Sequence, residues 1–435
     1  MNAKFSFLSL LLIVLFSTQI SLANETAAML ARKAVSTEAA ESTAAIEELR
    51  QMGPAGLEAL LGEYSDQINR HIAEPWIGSS PEWERIAKAL DLVGQQKNNY
   101  ISNLYWYTDF EEAKRVARES RKPILSLRLL GNLTDELSCA NSRFFRTALY
   151  PNAEIRDILR NRFVLHWKSV RPAPRITVDF GDGRKIESTV TGNSIHYVLD
   201  SEGQLIEAIP GLYGPAVFQR NLVEAETLFK SVAGKTGQER NAMLYKYYGD
   251  RQTKISLAWK TDTKQFGNRV ADRLRDFQYP GQDAVSIGPV AVTKMGTERP
   301  YARAITSARE ALGRIPDEMA WRLIAVLHQQ ESQLDGRSIA LMRWQNRSAQ
   351  NSEIARMILK FQESIALDTV RNEYILRPGL YGMMLNEVVT PTDIEKFNEN
   401  VYTLLFATPS ADQWLGLISP DMYTAIDNGG VIKGR

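Results

Sequence analysis

The chemistry that this sequence offers centres on its only cysteine. Cys139 stands in the stretch Ser138-Cys139-Ala140-Asn141-Ser142-Arg143-Phe144-Phe145. A cysteine thiolate attacks disulfides to form a mixed disulfide, and peroxide oxidises it to a sulfenic acid. Ser142 can donate a hydrogen bond to such a thiolate but cannot attack a mixed disulfide, so an external thiol or a second cysteine of the substrate would have to release it. The sequence therefore allows monothiol exchange or thiol peroxidase chemistry, but not autonomous dithiol oxidation.

Local patterns predict a helix, a strand and a loop ahead of this cysteine. Apolar residues at helical spacing predict a helix over 109–120, which stops at Lys122-Pro123 because proline lacks the amide that a continuing helix needs. The apolar run Ile124–Leu130 predicts a buried strand, and a loop over 131–138 leads to the cysteine. Helical periodicity follows over 143–149.

Further strands are predicted after the cysteine. Gly181-Asp182-Gly183 is typical of a hairpin turn between two short strands. The predicted elements are a helix over 152–159 capped by Asn152, a strand over 163–168, a hairpin of 176–180 and 185–190, strands over Ile195–Leu199 and 204–209 joined by a turn at 200–203, and a closing helix over 215–229.

This order of elements resembles the thioredoxin-like fold. It is similar in detail to bacterial thioredoxin-family domains in which a helix ending in Lys-Pro precedes the first central strand. The residues that carry the resemblance are Lys122-Pro123, the Cys-x-x-Ser of Cys139 and Ser142, and the strand and turn Leu199-Asp200-Ser201-Glu202-Gly203. The resemblance implies an α/β domain with a mixed sheet and flanking helices over 101–230. A helical N-terminal region, 24–100, and a mainly helical C-terminal region, 231–435, are expected on either side.

The sequence departs from the family pattern at three places. Ser142 replaces the resolving cysteine of the family's Cys-x-x-Cys, and the loop that leads to Cys139 is several residues longer than the family's. The family also places a cis-proline just before the strand that ends at the Asp-x-x-Gly turn. Here that position is Ser194, for which a cis peptide is not expected because it would cost about 3 kcal/mol.

The resemblance implies the members of the candidate site. It places Cys139 at a strand-loop-helix junction, where the free amides and the dipole of the next helix favour an anionic thiolate. Cys139 and Ser142 are the expected catalytic residues. The expected substrate-binding residues are the nearby cation Arg143 and, on the facing loop, Asn193, Ser194 and His196. A hydrolase built on Cys139 and His196 is a less favoured alternative because it would also need an oxyanion donor.

Two functions remain open at this point. One is an exported thiol-disulfide oxidoreductase or isomerase-like protein, or a thiol peroxidase, that uses Cys139 on a protein or peptide disulfide or thiol partner and depends on an external thiol reductant. The other is a redox-inactive thioredoxin-like interaction module, in which Cys139 is a small buried apolar residue. Solvent exposure of Cys139 discriminates between them.

The N-terminus indicates export. Residues 1–23 have the pattern of a signal peptide, with Lys4 ahead of an apolar core over 5–16 and small residues at 21–23. The expected mature chain begins near Asn24, is periplasmic or extracellular, and has no stable membrane span. A single cysteine cannot form an internal disulfide, so the fold must rely on its core.

Composition excludes several classes of partner. The formal net charge of +1 over 435 residues gives no electrostatic reason to expect nucleic acid. The four histidines do not stand in metal-ligand spacing with one another or with Cys139. The sequence therefore predicts no metal site and no cofactor.

Overall fold

The computed structural model describes residues 25–189, 193–235, 237–266, 318–406 and 425. Within them the chain is mostly helical and carries a small mixed sheet of four strands with helices packed on it. This arrangement is compatible with an α/β class for the central part. The expected signal peptide lies outside the described residues.

Helices fill the described chain up to the first strand. Gly53 adopts a φ of +67°, and Pro54 then begins a helix at the position where a missing amide costs nothing. Asp109 Oδ1 accepts a hydrogen bond from Glu112 N at 2.8 Å and so caps the last helix of this group. The bounds are α1, 25–34; α2, Ala39–Gln51; α3, Pro54–Glu63; α4, Ser65–Ala73; α5, Pro81–Gly94; α6, Asn99–Ser102; and α7, Phe110–Ser120.

An aromatic stretch joins these helices to the sheet. The Trp106 side chain is fully buried, and its Nε1 donates to Gln96 Oε1 at 2.9 Å. Tyr107 N donates to Leu165 O at 2.8 Å, and Tyr107 O accepts from Trp167 N at 3.1 Å. The aromatic residues are therefore packing between the helical part and the sheet, as aromatic clusters usually are.

The sheet is formed by β1 (Ile124–Leu130), β2 (Val164–Arg171), β5 (Ile195–Leu199) and β6 (Leu205–Pro210) in the order β2-β1-β5-β6. β1 and β2 are parallel, and β5 runs antiparallel to both β1 and β6. All residues of β1 and β5 are buried, which explains why their sequences are almost continuously apolar.

Between β1 and β2 the chain forms α8 (Ala140–Phe144), a π-helical turn (Phe145–Leu149) and α9 (Ala153–Arg162). Helical structure thus begins three residues earlier than the predicted 143–149 and widens at Phe145. A separate hairpin, β3 (Arg175–Asp179) and β4 (Lys185–Thr189), follows β2. The predicted turn at Gly181-Asp182-Gly183 is confirmed, and both glycines adopt positive φ.

The rest of the described chain is helical. Two π-helical turns, Asn372–Leu376 and Val401–Leu405, interrupt the helical run near its end. The helices are α10, Pro215–Val232; α11, Gly237–Gln265; α12, Glu318–Leu327; a 3-10 turn, Gln329–Ser332; α13, Gly336–Gln345; α14, Asn351–Arg371; α15, Arg377–Val389; and α16, Ile394–Asn400.

One apolar core runs through all three parts of the described chain. It includes Leu30 of the first helix, Leu127 of the sheet and Tyr402 near the end. A smaller cluster surrounds Trp321 and Val370. The sheet is therefore covered by helices that precede it in the sequence and by helices that follow it. These helices limit the access of solvent to the loops of the sheet.

Candidate functional site

Cys139 lies at the start of α8, directly after the loop that follows β1. Its backbone amide donates to Leu130 O at 3.1 Å, which anchors the cysteine to the end of the strand. Its φ and ψ of −56° and 153° are those of a residue preceding a helix. The expected strand-loop-helix junction is present, but the side chain has no solvent exposure. A sulfur in this position cannot meet a reagent without local opening of the structure.

Two serine hydroxyls face the sulfur. Ser194 Oγ lies 3.0 Å from Cys139 Sγ, and Ser142 Oγ lies 3.6 Å from it. Ser142 Oγ is closer to two other acceptors, since it lies 2.8 Å from Cys139 O and 2.7 Å from Ser138 Oγ. The Ser142 hydroxyl, which has a single proton, is thus better placed to donate a hydrogen bond to one of these oxygens than to the sulfur. Ser142 was the expected hydrogen-bond donor to the sulfur, but the shorter contact comes from Ser194, which was expected to bind substrate.

Arg143 is directed to the β3-β4 hairpin. Its Nη2 donates to Thr189 Oγ1 at 2.9 Å. The buried cation near Cys139 is instead Arg146, which is 3% exposed. It donates to Ser138 Oγ at 3.2 Å and to Leu133 O at 3.3 Å. Burial lowers the pKa of Arg146 to about 10, against the opposing effect of Glu136. Sequence reasoning missed Arg146, although its spacing of seven from Cys139 is two helical turns.

The π-helical turn Val401–Leu405 packs against the loop that faces Cys139 and closes it. Tyr402 is buried and its hydroxyl donates to Asn193 O at 2.8 Å. The next carbonyl, Ser194 O, accepts from Gly211 N at 2.9 Å. Both carbonyls at the expected substrate-binding position therefore have partners within the chain. Tyr402 is separated from this loop by 209 residues, so no local signal could have indicated it.

His196 lies in the core of the sheet. Its Nε2 shares a 2.8 Å hydrogen bond with the Tyr150 hydroxyl, and its ring packs 4.7 Å from that of Phe145. Burial lowers the pKa of His196 to about 3, so the imidazole is neutral at physiological pH. Within the described chain the hydrogen-bond partners of the sulfur are Ser142 and Ser194, not His196. The arrangement does not provide the Cys-His pair that a hydrolase requires.

A second buried histidine, His166, lies on β2, which is separated from the strand of His196 by β1. His166 Nδ1 is 2.7 Å from Ser126 Oγ, and Arg128 Nη1 donates to the same hydroxyl at 2.5 Å. Burial, together with the charge of Arg128, lowers the pKa of His166 to about 3. A neutral imidazole held between a serine and an arginine is a packed polar cluster of the sheet, as expected for a strand-face histidine.

No group of three or more histidine, cysteine, aspartate or glutamate side chains in the described chain is arranged to hold a metal ion. Among the helices of the described residues, none combines the length and the apolar character that crossing a membrane requires. Comparison of the chain with protein-family models, with curated proteins and with solved structures found no match in any of the three.

Proposed function

We propose that this chain is an exported, redox-inactive protein with a thioredoxin-like central domain, in which Cys139 is a structural thiol and the molecule acts by binding a protein or peptide. The strand order β2-β1-β5-β6, with a parallel first pair and an antiparallel closing hairpin, supports the thioredoxin-like part of this proposal. The location of Cys139 between β1 and α8 supports it as well.

The observation that carries the redox-inactive part is the closure of the cysteine site. Cys139 has no exposed surface, and the carbonyls of the loop that would receive a substrate chain already accept hydrogen bonds from the Tyr402 hydroxyl and Gly211 N. A mixed disulfide needs in-line access of a second sulfur to Cys139 Sγ. Such access would require displacement of the Val401–Leu405 turn from the facing loop.

Monothiol exchange is the second candidate function. The position of Cys139 at a helix start, together with Ser194 Oγ 3.0 Å from the sulfur, favours it because both stabilise a thiolate. In that mechanism the Cys139 thiolate would attack a partner disulfide, expel one thiolate, and be released by an external thiol reductant. It would act only in molecules in which the covering turn has opened.

Alkylation of the native protein tests the proposal. Iodoacetamide is applied to the native chain, to the chain in urea, and to a Tyr402→Ala variant, and modification of Cys139 is followed by mass spectrometry. We expect reaction in urea and in Tyr402→Ala, and none in the native protein. Rapid alkylation of the native chain, lost in a Cys139→Ala control, would instead establish an accessible thiol and the monothiol function.

Export is tested separately. Cell fractionation of the full chain, with mass spectrometry of its N-terminal peptide, is expected to find mature protein beginning near Asn24 outside the cytoplasm. A chain that retains residues 1–23 in the cytoplasmic fraction would overturn this part of the proposal.

A further inference from the structure

A large cavity lies at the other end of β1 from Cys139. It is an open cleft of about 860 Å³ between the end of α7, the turn after β5, the start of α11, and α15. We call it the Lys122 cleft. Its volume lies within the range of about 300–1,000 Å³ that is typical of small-ligand sites. Because β1 has seven residues, its two ends are about 20 Å apart, and the cleft is distinct from the cysteine site.

The floor of the Lys122 cleft is apolar. It is lined by side chains that the sheet, α10, α11 and α15 contribute: Leu205, Ile206, Phe229, Leu244, Met384 and Val388. Tyr248 also lines it, but its hydroxyl is already used in a hydrogen bond to Ile206 O at 2.8 Å. The floor therefore offers apolar contact area and few free polar groups to a ligand.

The rim of the cleft is cationic. Six lysine or arginine side chains line it against three carboxylates. Each of these carboxylates has a partner within the chain. Asp200 pairs with Arg240 at 3.1 Å, Glu202 pairs with Arg118 at 2.9 Å, and Glu387 accepts from Thr392 N at 2.7 Å.

Two rim cations have no such partner. Arg121 and Lys122 make no ion pair and no side-chain hydrogen bond to the described part of the chain. They are consecutive and stand between the end of α7 and β1, and both line the cleft. A free guanidinium beside a free ammonium is suited to a carboxylate, phosphate or sulfonate.

We propose that the Lys122 cleft binds a small amphipathic anion, with an apolar chain on the floor and one anionic head group at Arg121 and Lys122. The fatty-acid class fits this description. The proposal goes beyond the binding role proposed above, and it makes no use of Cys139. The two can therefore fail independently.

Calorimetric titration of the full-length protein with three probes tests whether the ligand needs both an apolar chain and a negative charge. Decanoate below its micelle concentration is expected to bind at one saturable site. Acetate, which has the head group without the chain, and decyltrimethylammonium, which has the chain with the opposite charge, are expected not to bind there. Failure of decanoate to saturate, or equal binding of the cationic amphiphile, would overturn the proposal.

Variants locate the site. Arg121 has a φ of +55°, so asparagine, which tolerates that backbone conformation, is the safest neutral replacement. The double variant Arg121→Asn, Lys122→Gln is expected to weaken decanoate binding about tenfold or more, as expected for the loss of charge-assisted hydrogen bonds. Arg115→Gln, on the preceding helix α7 but outside the cleft, is the matched control and should bind as the wild type does.

A filling variant gives an independent readout. Ala233 is exposed at the end of α10 and lines the cleft, so Ala233→Trp should occupy it without disturbing the core. We expect Ala233→Trp to abolish decanoate binding while far-UV circular dichroism stays unchanged. Unaltered binding in both this variant and the double variant would place the amphiphile elsewhere and refute the assignment.

Discussion

His328 gives the protein a specific dependence of stability on alkaline pH. Its Nε2 lies 2.8 Å from Asp262 Oδ2 of α11, and its Nδ1 lies 3.0 Å from Glu331 Oε2. These hydrogen bonds to two carboxylates raise the pKa of His328 to about 9. Arg220 of α10 holds Glu331 from the other side at 2.6 Å. The charged imidazole thus links three helical elements.

The pKa values of the two carboxylates that bind His328 are lowered, as expected for partners of a charged imidazole. The hydrogen bond to His328 lowers the pKa of Glu331. Burial alone would raise the pKa of Asp262, but hydrogen bonds from His328 and from the Tyr374 hydroxyl hold it below its usual range. Both carboxylates are therefore ionised throughout the range in which His328 titrates.

The magnitude follows from linkage. The pKa of His328 is raised on folding from 6.5 to about 9, so the native state holds a proton that the unfolded chain has released between these pH values. Its stabilisation is complete below pH 6.5 and is lost as pH rises through 9. At about 1.36 kcal/mol per pH unit this amounts to about 3 kcal/mol, which we reduce to about 2 kcal/mol because screening weakens a partly exposed group.

The assay is urea unfolding followed by circular dichroism at pH 6, 7.5, 9 and 10, for the wild type and for His328→Gln. The free-energy difference between the two proteins is expected to shrink by about 2 kcal/mol from pH 6 to pH 10. His71→Gln is the control. Burial lowers the pKa of His71 to about 4, so its contribution is lost toward acid, and the alkaline loss of the wild type should persist in this variant.

A pH-independent difference between the wild type and His328→Gln would refute the reasoning. It would mean that His328 carries no bound proton between its two carboxylates in the native state, whatever its contribution to packing.

Two substitutions test packing and buried charge. Glu207→Gln should destabilise the protein by about 2 kcal/mol in urea unfolding, because it removes one of the two carboxylates that pair with the fully buried Arg377, leaving only Glu373 at 3.3 Å; a change under about 1 kcal/mol would contradict this. Gly56→Ala should cost about 3 kcal/mol or more in the same measurement, because a Cβ there would lie 2.0 Å from Leu49 O. Gly62→Ala on the same helix, with nothing within 4 Å, is its control and should be neutral or slightly stabilising.

Elements with strong local signals were predictable from the sequence. The strands Ile124–Leu130 and Ile195–Leu199 are confirmed, since short and mainly apolar runs are typical of buried strands. The cap at Asn152 is confirmed, since its Oδ1 accepts from Ile155 N at 3.1 Å. β2 extends beyond the predicted end to Arg171, because a register shift beside Leu129 and Leu130 prolongs its pairing with β1. Such shifts depend on the partner strand and leave no mark in the local pattern.

The location of Cys139 in the fold was predictable from the sequence, but the contacts that surround it were not. Local pattern and resemblance placed Cys139 between a strand and a helix and brought Ser194 to it. The facing loop is closed by Tyr402, which donates to Asn193 O, and Arg143 is directed to the hairpin by its hydrogen bond to Thr189. Both contacts join residues far apart in sequence. Helical and strand periodicity relates only residues a few positions apart, so it contains no information about them.

The helices that follow the sheet supply partners for two charged side chains buried on it. Arg128 is fully buried on β1, and its Nη2 pairs with Glu395 Oε1 of α16 at 2.8 Å. Glu207 is fully buried on β6 and accepts from the hydroxyl of Tyr247 of α11 at 2.9 Å. If the helices covered the sheet without supplying these partners, each side chain would be a buried unpaired charge, at a cost of several kcal/mol each.

The covering of Cys139 is part of the same arrangement. The chain from Glu395 of α16 continues directly to Tyr402, which closes the loop at Asn193. An opening that exposed the sulfur would therefore also strain the ion pair between Arg128 and Glu395, only seven residues away from Tyr402. Because separating Glu395 from the fully buried Arg128 would leave a buried charge without its ion-pair partner, the segment is held at Glu395 as well as at Tyr402. The Arg128–Glu395 ion pair and the hydrogen bond from Tyr402 to Asn193 O thus hold both ends of one short segment against the sheet and its loop.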